Sequence, residues 1–175
     1  MDLKKFIRTI PDYPKQGIQF RDITTLIAQP DAFQATISQL ATKYQDYSID
    51  LIAGIEARGF IFGATLAHQL NKGFIPIRKK GKLPGKTFSV EYDLEYGSDK
   101  LEVHQDAFTP GDRVLLIDDL LATGGTALAA CALIKQAKAE VIEAGFIIDL
   151  PDLKGQNKLE QAGINCFCLI EFAGH

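Results

Sequence analysis

Cysteine is scarce in this sequence, with three residues in 175. An odd number of cysteines with no Cys-x-x-Cys pair does not fit a disulfide framework or a redox motif. Cys166 and Cys168 alternate along an apolar run, so both side chains face the same side of a predicted strand, where core packing is their expected role. The histidines are far apart and share no ligand spacing, which argues against a zinc site built by the protein.

The sequence also lacks an excess of positive charge and any long apolar run. Its formal net charge is −3, whereas nucleic-acid binding usually needs a concentrated basic face. No segment approaches the length of a membrane span, and MDLKKFIRTI at the N-terminus has no unbroken apolar stretch of the kind found in secretion signals. We therefore expect no nucleic acid and no membrane as a partner, and a cytoplasmic location.

The alternation of elements predicts the fold class. With 46% hydrophobic and 23% charged residues, the chain is expected to form one domain, residues 1–175, with a substantial core. Short aliphatic segments alternate with helical segments after residue 50, a pattern typical of βαβ crossovers. This predicts an α/β fold with a mainly parallel twisted sheet flanked by helices. Strands are predicted at residues 51–54, 74–77, 114–118, 141–149 and 165–172, and helices at 2–9, 31–44, 59–70, 126–138 and 156–162.

Three local expectations complete this prediction. Asp31 is expected to cap the helix at 31–44 with its side chain, and residues 11–24 are expected to be extended and rich in turns. Residues 79–106 interrupt the alternation, and excursions of this length are usually functional flaps or disordered. Within them, the acids and aromatics of EYDLEYG (91–97) fit an exposed hairpin, or a carboxylate on a mobile flap that shuttles a proton or orients a base.

The segment VLLIDDLLATGGT, residues 114–126, combines a buried strand, an acid pair and a glycine-threonine loop. Glycines let backbone N–H groups crowd around a ligand, threonines add hydroxyl donors, and the following helix presents its positive end. The predicted phosphate cradle consists of Ala122, Thr123, Gly124, Gly125 and Thr126. Asp118 and Asp119 are anions themselves, so their predicted partners are a sugar diol or a magnesium ion. A phosphate cradle one helical turn from a diol-binding acid describes a ribose 5-phosphate.

Two alternatives for this segment stay open at this point. VLLIDD also suits the magnesium-binding strand of a P-loop ATPase. However, the nearest P-loop candidate, GKLPGKT at 81–87, is one residue short between its glycines and leads into β-prone sequence. In the second alternative, Asp118 and Asp119 are only a helix cap and a surface acid.

The segment AGIEARGFIFG, residues 53–63, is a second place where a short strand ends in a polar turn ahead of a helix. Arg58 beside Gly59 is placed to bind an anion with its guanidinium and with backbone donors; the alternative is an ordinary surface arginine. The basic run RKKGK (78–82) is either a solvated loop or added positive charge for this site. Two anion sites at the carboxyl ends of two strands favour a ligand with phosphate groups at both ends.

Taken together, these segments resemble the type I phosphoribosyltransferases, and within them the adenine-specific branch. VLLIDDLLATGGT matches the family's phosphoribosyl-pyrophosphate motif. FRDIT (20–24), GIEARGFIFG (54–63), RKKGKLPG (78–85) and YDLEYG (92–97) resemble the adenine-specific branch in order and spacing. The resemblance covers nearly the whole chain, but residues 1–8 and 171–175 match no motif. It implies that the substrates are adenine and phosphoribosyl pyrophosphate, that the products are AMP and pyrophosphate, that Mg²⁺ is the cofactor, and that the protein is a homodimer.

The resemblance also implies a role for each segment. Residues 1–30 would form a hood in which Phe20 stacks on adenine and main-chain groups around Gln19 and Arg21 read the base edge. Asp118 and Asp119 would hold the ribose hydroxyls, and residues 122–126 would hold the 5-phosphate. Residues 79–95, within the flexible excursion at 79–106, would form the catalytic loop, with Glu95 near the base nitrogens. The implied pyrophosphate site consists of Glu56, Ala57, Arg58, Gly59, Arg78, Lys79 and Lys82, with a non-proline cis peptide in the 56–59 turn. The implied catalytic residues are Glu95, Asp118, Asp119 and Arg58, and magnesium would be held by substrate oxygens and water without a direct protein ligand.

Two rival functions stay open in the sequence. One is a transferase for a 6-oxopurine or for orotate, against which the FRDIT and YDLEYG segments argue. The other is a non-catalytic sensor of phosphoribosyl pyrophosphate that regulates transcription. Such a sensor usually has an added DNA-binding domain and a basic face, and neither is visible in the sequence.

Overall fold

The first thirty residues form a small hairpin beside the main sheet. The computed structural model describes residues 1–94 and 96–175. A 3₁₀ turn at Leu3–Phe6 is followed by β1 (Arg8–Pro11), which pairs antiparallel with β2 (Gln19–Asp22). The predicted helix at 2–9 is therefore wrong beyond its first turn. The backbone of residues 8–11 takes its hydrogen-bond partners from β2, and a ladder with a distant segment outweighs local helix preference in so short a stretch.

The rest of the chain alternates strands and helices, as the sequence predicts. The helices are α1 (Thr24–Ile27), α2 (Pro30–Tyr44), α3 (Arg58–Gln69), α4 (Gly125–Gln136) and α5 (Gly155–Gln161). The strands are β3 (Leu51–Ile55), β4 (Gly73–Lys79), β5 (Thr87–Asp93), β6 (Ser98–His104), β7 (Arg113–Leu121), β8 (Glu140–Asp149) and β9 (Cys166–Glu171). Among the described residues, no helix combines the length and the apolar character needed to cross a membrane.

In the described residues, strands β3 to β9 form one seven-stranded sheet in the order β5-β6-β4-β3-β7-β8-β9. The neighbours from β4 to β9 in that order are parallel, whereas β6 and β5 are antiparallel additions at one edge. The 3₁₀ turn and helices α1 to α3 pack on one face, while α4 and α5 pack on the other. The predicted α/β fold with a mainly parallel sheet is confirmed.

Two boundaries differ from the sequence-based prediction in ways that affect the site. Strand β7 does not end at Asp118 but continues to Leu121, because Leu120 and Leu121 still pair with Ile148 and Asp149 of β8. The acid pair therefore lies inside a strand, beyond the last residue paired with β3 and beside β8, which still pairs with Asp118 and with Leu120. Helix α2 begins at Pro30, so Asp31 lies in its first turn and is not the cap; Gln29 precedes the helix in an extended conformation.

The excursion at residues 79–106 is a β-hairpin in the residues described. Strands β5 and β6 pair from Thr87 opposite His104 to Asp93 opposite Ser98. Strand β6 then pairs with the end of β4, where Arg78 lies opposite Glu102. The hairpin is thus attached to the edge of the sheet at the carboxyl end of β4, next to the turn that follows β3.

The C-terminal end of α2 is fixed to the sheet by Lys43. Its ammonium donates a hydrogen bond to the Tyr47 hydroxyl at 2.6 Å and lies 3.6 Å from the carboxylate of Glu143. It also lies 4.8 Å from the ring centroid of Tyr47 and 5.2 Å from that of Phe167. The Glu143 side chain is only 10% exposed, so its carboxylate has little contact with water and relies on Lys43 as its cationic partner.

We predict that Lys43→Met destabilises the protein by about 1–3 kcal/mol, because the methionine keeps the apolar stem but leaves the Glu143 carboxylate buried without its cation. Glu143→Gln is the partner variant, and the double variant should lose less stability than the sum of the two single losses. Urea denaturation of the four proteins measures this coupling. Strictly additive losses would show that the pair does not interact.

Candidate active site

A cleft of about 270 Å³ opens at the carboxyl ends of β3 and β7. Its walls are residues 55–58 and 118–127, with Lys79 and Phe146. Parallel strands bring these separate segments to one edge of the sheet, the usual place for ligands in α/β proteins. Phe146 and Leu120 are lining residues that the sequence analysis did not identify. Phe146 lies opposite Asp118 in the register of β7 and β8, and only the strand pairing reveals that position.

The glycine-threonine loop, residues 122–126, connects β7 to α4 on one side of this cleft. Gly124 has φ +88° and immediately precedes the helix, a left-handed conformation that glycine adopts at little cost. Because α4 begins at Gly125, the amide N–H groups of its first turn have no acceptor within the helix. The loop therefore offers main-chain donors and the positive end of a helix dipole to an anion.

The carboxylates of Asp118 and Asp119 lie side by side next to this loop. The Asp119 amide donates to Asp118 Oδ1 at 2.9 Å, and the Asp119 side chain is 6% exposed. Removal from water raises the pKa of Asp118 well above its ordinary value, and the neighbouring charge of Asp119 adds to this effect. Burial also raises the pKa of Asp119, although the Arg58 guanidinium opposes the shift.

Arg58 contacts both the carboxylate pair and the hood, residues 1–30. It is the first residue of α3, its Nε lies 2.8 Å from Asp119 Oδ2, and its guanidinium lies 5.4 Å from the Phe20 ring centroid. A Cβ on the next residue, Gly59, would approach Asp118 Oδ1 to 2.8 Å. Glycine at this position therefore lets the first turn of α3 pass close to the acid pair.

On the opposite side of the cleft, Glu56 contacts three basic residues. The peptide bond from Glu56 to Ala57 is cis, as the family resemblance implies. The Glu56 carboxylate accepts a hydrogen bond from the Lys79 amide at 2.8 Å and another from the Lys82 ammonium, and it lies 3.5 Å from Arg78 Nε. Burial alone acts to raise the pKa of Glu56, but the hydrogen bonds from Lys82 and Lys79 and the nearby positive charges lower it overall.

Lys79 reaches the cleft, but its ammonium has partners in the hairpin. It lies 2.7 Å from an Asp99 carboxylate oxygen and 2.5 Å from the Tyr92 hydroxyl. These contacts raise the pKa of Lys79 even though its partial burial acts in the opposite direction. The positive charge of Lys79 is therefore held at the hairpin by Asp99 and Tyr92, whereas only its backbone amide contacts Glu56.

Of the hood residues, Phe20 contacts a residue of the cleft, whereas the Arg21 side chain contacts the C-terminus. The Phe20 ring packs edge-on against Tyr13 at 5.1 Å and faces Arg58, whereas Gln19 pairs with Pro11 in the hairpin. The Arg21 side chain points elsewhere: it donates to Thr9 Oγ1 and to main-chain carbonyls at the C-terminus. The last residues of the chain, for which the sequence predicted no role, thus hold Arg21 of the hood in place. Glu95 lies outside the described residues.

The carboxylate pair does not form a metal site by itself. Among residues 1–94 and 96–175, no group of three or more histidine, cysteine, aspartate or glutamate side chains is arranged to hold a metal ion. One acid of the pair is matched to Arg58. The protein donors at the cleft therefore fit a cation that takes most of its ligands from elsewhere.

Comparisons with known proteins show the family and the fold of this chain. Residues 22–172 match the family model of the phosphoribosyl transferase domain. The adenine phosphoribosyltransferase of Sinorhizobium medicae is 58% identical over 174 residues, which cover 99% of this chain and 97% of that protein. The crystal structure of the Thermoanaerobacter pseudethanolicus adenine phosphoribosyltransferase superposes with a TM-score of 0.94 at 48% identity, covering 98% of both chains. The Saccharomyces cerevisiae enzyme, solved with adenine and an imino-altritol bisphosphate, gives 0.90 at 41% identity and 96% coverage of both chains.

We predict that the Asp118→Asn variant is more stable than the wild type, and that this difference in stability grows as the pH rises. The raised pKa means that the folded protein binds more protons than the unfolded chain, so wild-type stability falls as the pH rises from about 4 through the folded pKa. Asparagine removes this loss and can still accept from the Asp119 amide. Thermal denaturation from pH 4 to pH 8 should show a gain that grows with pH. Asp119→Asn, which deprives Arg58 of its partner, should gain less, and equal gains at every pH would contradict this account.

Glu56→Gln should have the opposite effect. The lowered pKa of Glu56 stabilises the folded protein above the ordinary carboxyl range, and this contribution is lost as the pH falls through the folded pKa. We expect the variant to be about 1–2 kcal/mol less stable at pH 7, since the buried acceptor of the Lys82 ammonium and the Lys79 amide is weakened. This deficit should shrink as the pH falls below the ordinary carboxyl pKa of 4.5 and through the lowered pKa of Glu56. Glu140→Gln, at a 62% exposed side chain paired with Arg113, is the matched control and should change little.

Proposed function

Because this chain belongs to the phosphoribosyl transferase family, we propose that it transfers the 5-phosphoribosyl group of phosphoribosyl pyrophosphate to adenine. The products are AMP and pyrophosphate, and the reaction salvages a purine base. The observation that carries this proposal is one cleft in which the glycine-threonine loop, the carboxylate pair and Arg58 converge. A sugar with phosphate groups at both ends needs hydrogen-bond donors at each end, for the phosphates, and hydrogen-bond acceptors between them, for the sugar hydroxyls.

The ribose 5-phosphate part of the substrate fits the β7–α4 side of the cleft. In this proposal the main-chain N–H groups of residues 122–126 bind the 5-phosphate, and Thr123 and Thr126 add hydroxyl donors. Asp118 and Asp119 accept hydrogen bonds from the ribose hydroxyls. Their raised pKa values support this role, because a hydroxyl that donates to a buried carboxylate offsets part of the cost of its charge.

The pyrophosphate fits the β3–α3 side of the cleft. Arg58 and the main chain of Ala57 and Gly59 provide donors at the start of α3, and Arg78, Lys79 and Lys82 add positive charge from the other side. The contacts of Lys82 and Arg78 with Glu56 support this assignment, because they hold two cations beside the turn. Positive charge here stabilises the negative charge that develops on departing pyrophosphate.

Phe20 supports the proposed base site, since its ring lies 5.4 Å from the guanidinium of Arg58, a residue that lines the cleft. In this proposal adenine stacks on Phe20, main-chain groups of residues 19–21 read its edge, and Glu95 has a catalytic role toward the base nitrogens. A base nitrogen then attacks the anomeric carbon as pyrophosphate leaves, so no covalent enzyme intermediate is needed. The protein contributes by orienting both substrates and by excluding water, which competes as a nucleophile.

Magnesium is part of this proposal. The ion would have no direct protein ligand: substrate oxygens and water would coordinate it, as this hard cation prefers, and Asp118 and Asp119 would accept hydrogen bonds from its water ligands. The ion supplies charge neutralisation for the pyrophosphate. The free cysteines Cys131, Cys166 and Cys168 support the further proposal that the protein works in the reducing cytoplasm, and we propose that it does so as a homodimer.

The purified protein with magnesium and phosphoribosyl pyrophosphate should form AMP from adenine. Hypoxanthine, guanine and orotate, each supplied in the same assay, should give no more than about a hundredth of this rate, because groups that bind the adenine edge are left unpaired by the other bases. Chromatographic detection of the nucleotide and of pyrophosphate measures the reaction. Folded protein that binds phosphoribosyl pyrophosphate in calorimetry without making AMP would favour the sensor function instead.

A further inference from the structure

The turn that follows β8 lies directly behind the glycine-threonine loop. Strand β8 ends at Asp149, a 3₁₀ turn covers Pro151–Leu153, and α5 begins at Gly155. The Leu150 amide donates to the Leu121 carbonyl at 3.0 Å, so the turn is joined to the last residue of β7. It places the backbone of Gly155 against the residues that follow.

Gly155 is buried against the loop without room for a side chain. A Cβ at this position would overlap the carbonyl oxygen of Ala122 and would lie 2.9 Å from Cγ of Leu121. From the other side, a Cβ on Gly124 would approach the Gly155 carbonyl oxygen to 3.2 Å. The backbone of Gly155 is therefore in close contact with the backbone of the loop. A backbone atom cannot rotate away as the end of a flexible side chain can.

Helix α5 is itself held in place, so it cannot simply move back. The Gln156 side chain donates to the carboxylate of Asp149 at 2.6 Å, and Asp149 is only 1% exposed. Leu159, one turn further on, has no exposed surface and belongs to the core cluster beside α4. A side chain added at residue 155 would therefore displace the loop at Ala122 more readily than it would displace the helix.

We propose that Gly155 is a positioning residue that sets the main-chain donors of the glycine-threonine loop for the 5-phosphate, an inference that rests on the proposed function. Gly155 does not touch the substrate. Its backbone supports Ala122 and Gly124 from behind and fixes the distance between the loop and the carboxylate pair. A substitution here changes how tightly the phosphoribosyl substrate is bound, and leaves the adenine side of the cleft as it is.

Gly155→Ala tests this role against Gly163→Ala. Gly163 follows the same helix, has φ +76° and has no atom within 4 Å of a Cβ position, so alanine there strains the backbone without touching the loop. We expect Gly155→Ala to raise the KM for phosphoribosyl pyrophosphate about tenfold or more and to leave the KM for adenine within about twofold, because small displacements of binding groups are costly. Gly163→Ala should lower stability and change neither KM. An equal change in both KM values for Gly155→Ala, or no change, would overturn the proposal.

A second measurement does not depend on turnover. In the free proteins, hydrogen exchange of the amides at residues 122–126 should be faster in Gly155→Ala than in wild type and Gly163→Ala, with exchange in β3 unchanged. If Gly155→Ala does not fold, Gln156→Ala releases the same turn without adding a side chain and should still speed exchange in the loop; unchanged exchange would overturn the proposal. Wild-type protein that makes no AMP would end the proposed function, whereas normal wild-type kinetics with an unaffected Gly155→Ala would end only this inference.

Discussion

The carboxylates of Asp118 and Asp119 are held next to each other in a strand whose backbone pairs with β3 and β8 on either side. Two adjacent charges removed from water repel each other, and the protein compensates only in part. Arg58 pairs with Asp119, while Asp118 keeps a strongly raised pKa. This unfavourable arrangement persists because the sheet fixes both residues, and the uncompensated acceptor is available to a ligand.

The surrounding elements are arranged about this pair. Gly59 lets α3 start beside Asp118, and Arg58 at the start of that helix connects Asp119 to the hood through Phe20. On the far side of the cleft, the pKa of Glu56 is lowered because its carboxylate accepts hydrogen bonds from Lys82 and Lys79 and lies near the charges of Lys82 and Arg78. The site thus contains acidic positions with opposite pKa shifts: at Asp118 and Asp119 the charge of Arg58 does not offset burial, whereas several donors and positive charges surround Glu56. A ligand with hydroxyl donors next to phosphate groups matches this pattern.

The sequence predicted much of the site because the relevant residues are contiguous. An aliphatic run followed by acids, glycines and a helical period predicts a strand, a loop and a helix N-terminus, and parallel pairing brings such loops to one edge. Two of the errors arose where pairing with a distant segment decided the outcome. Residues 8–11 form a strand because β2 lies beside them, and β7 extends to Leu121 because β8 continues to pair with it. Local preference does not contain that information.

The sequence by itself determined the α/β architecture, the glycine-threonine loop at the start of a helix and the family, since all of these depend on short-range patterns of glycine, charge and aliphatic residues. Only the tertiary structure decided that Arg58 pairs with Asp119, that Glu56 holds Lys82, that the Arg21 side chain binds the C-terminus, and that Gly155 supports Ala122. Each of these contacts joins segments far apart in the chain. Their geometry follows from how strands and helices pack and not from the residues' own conformational preferences.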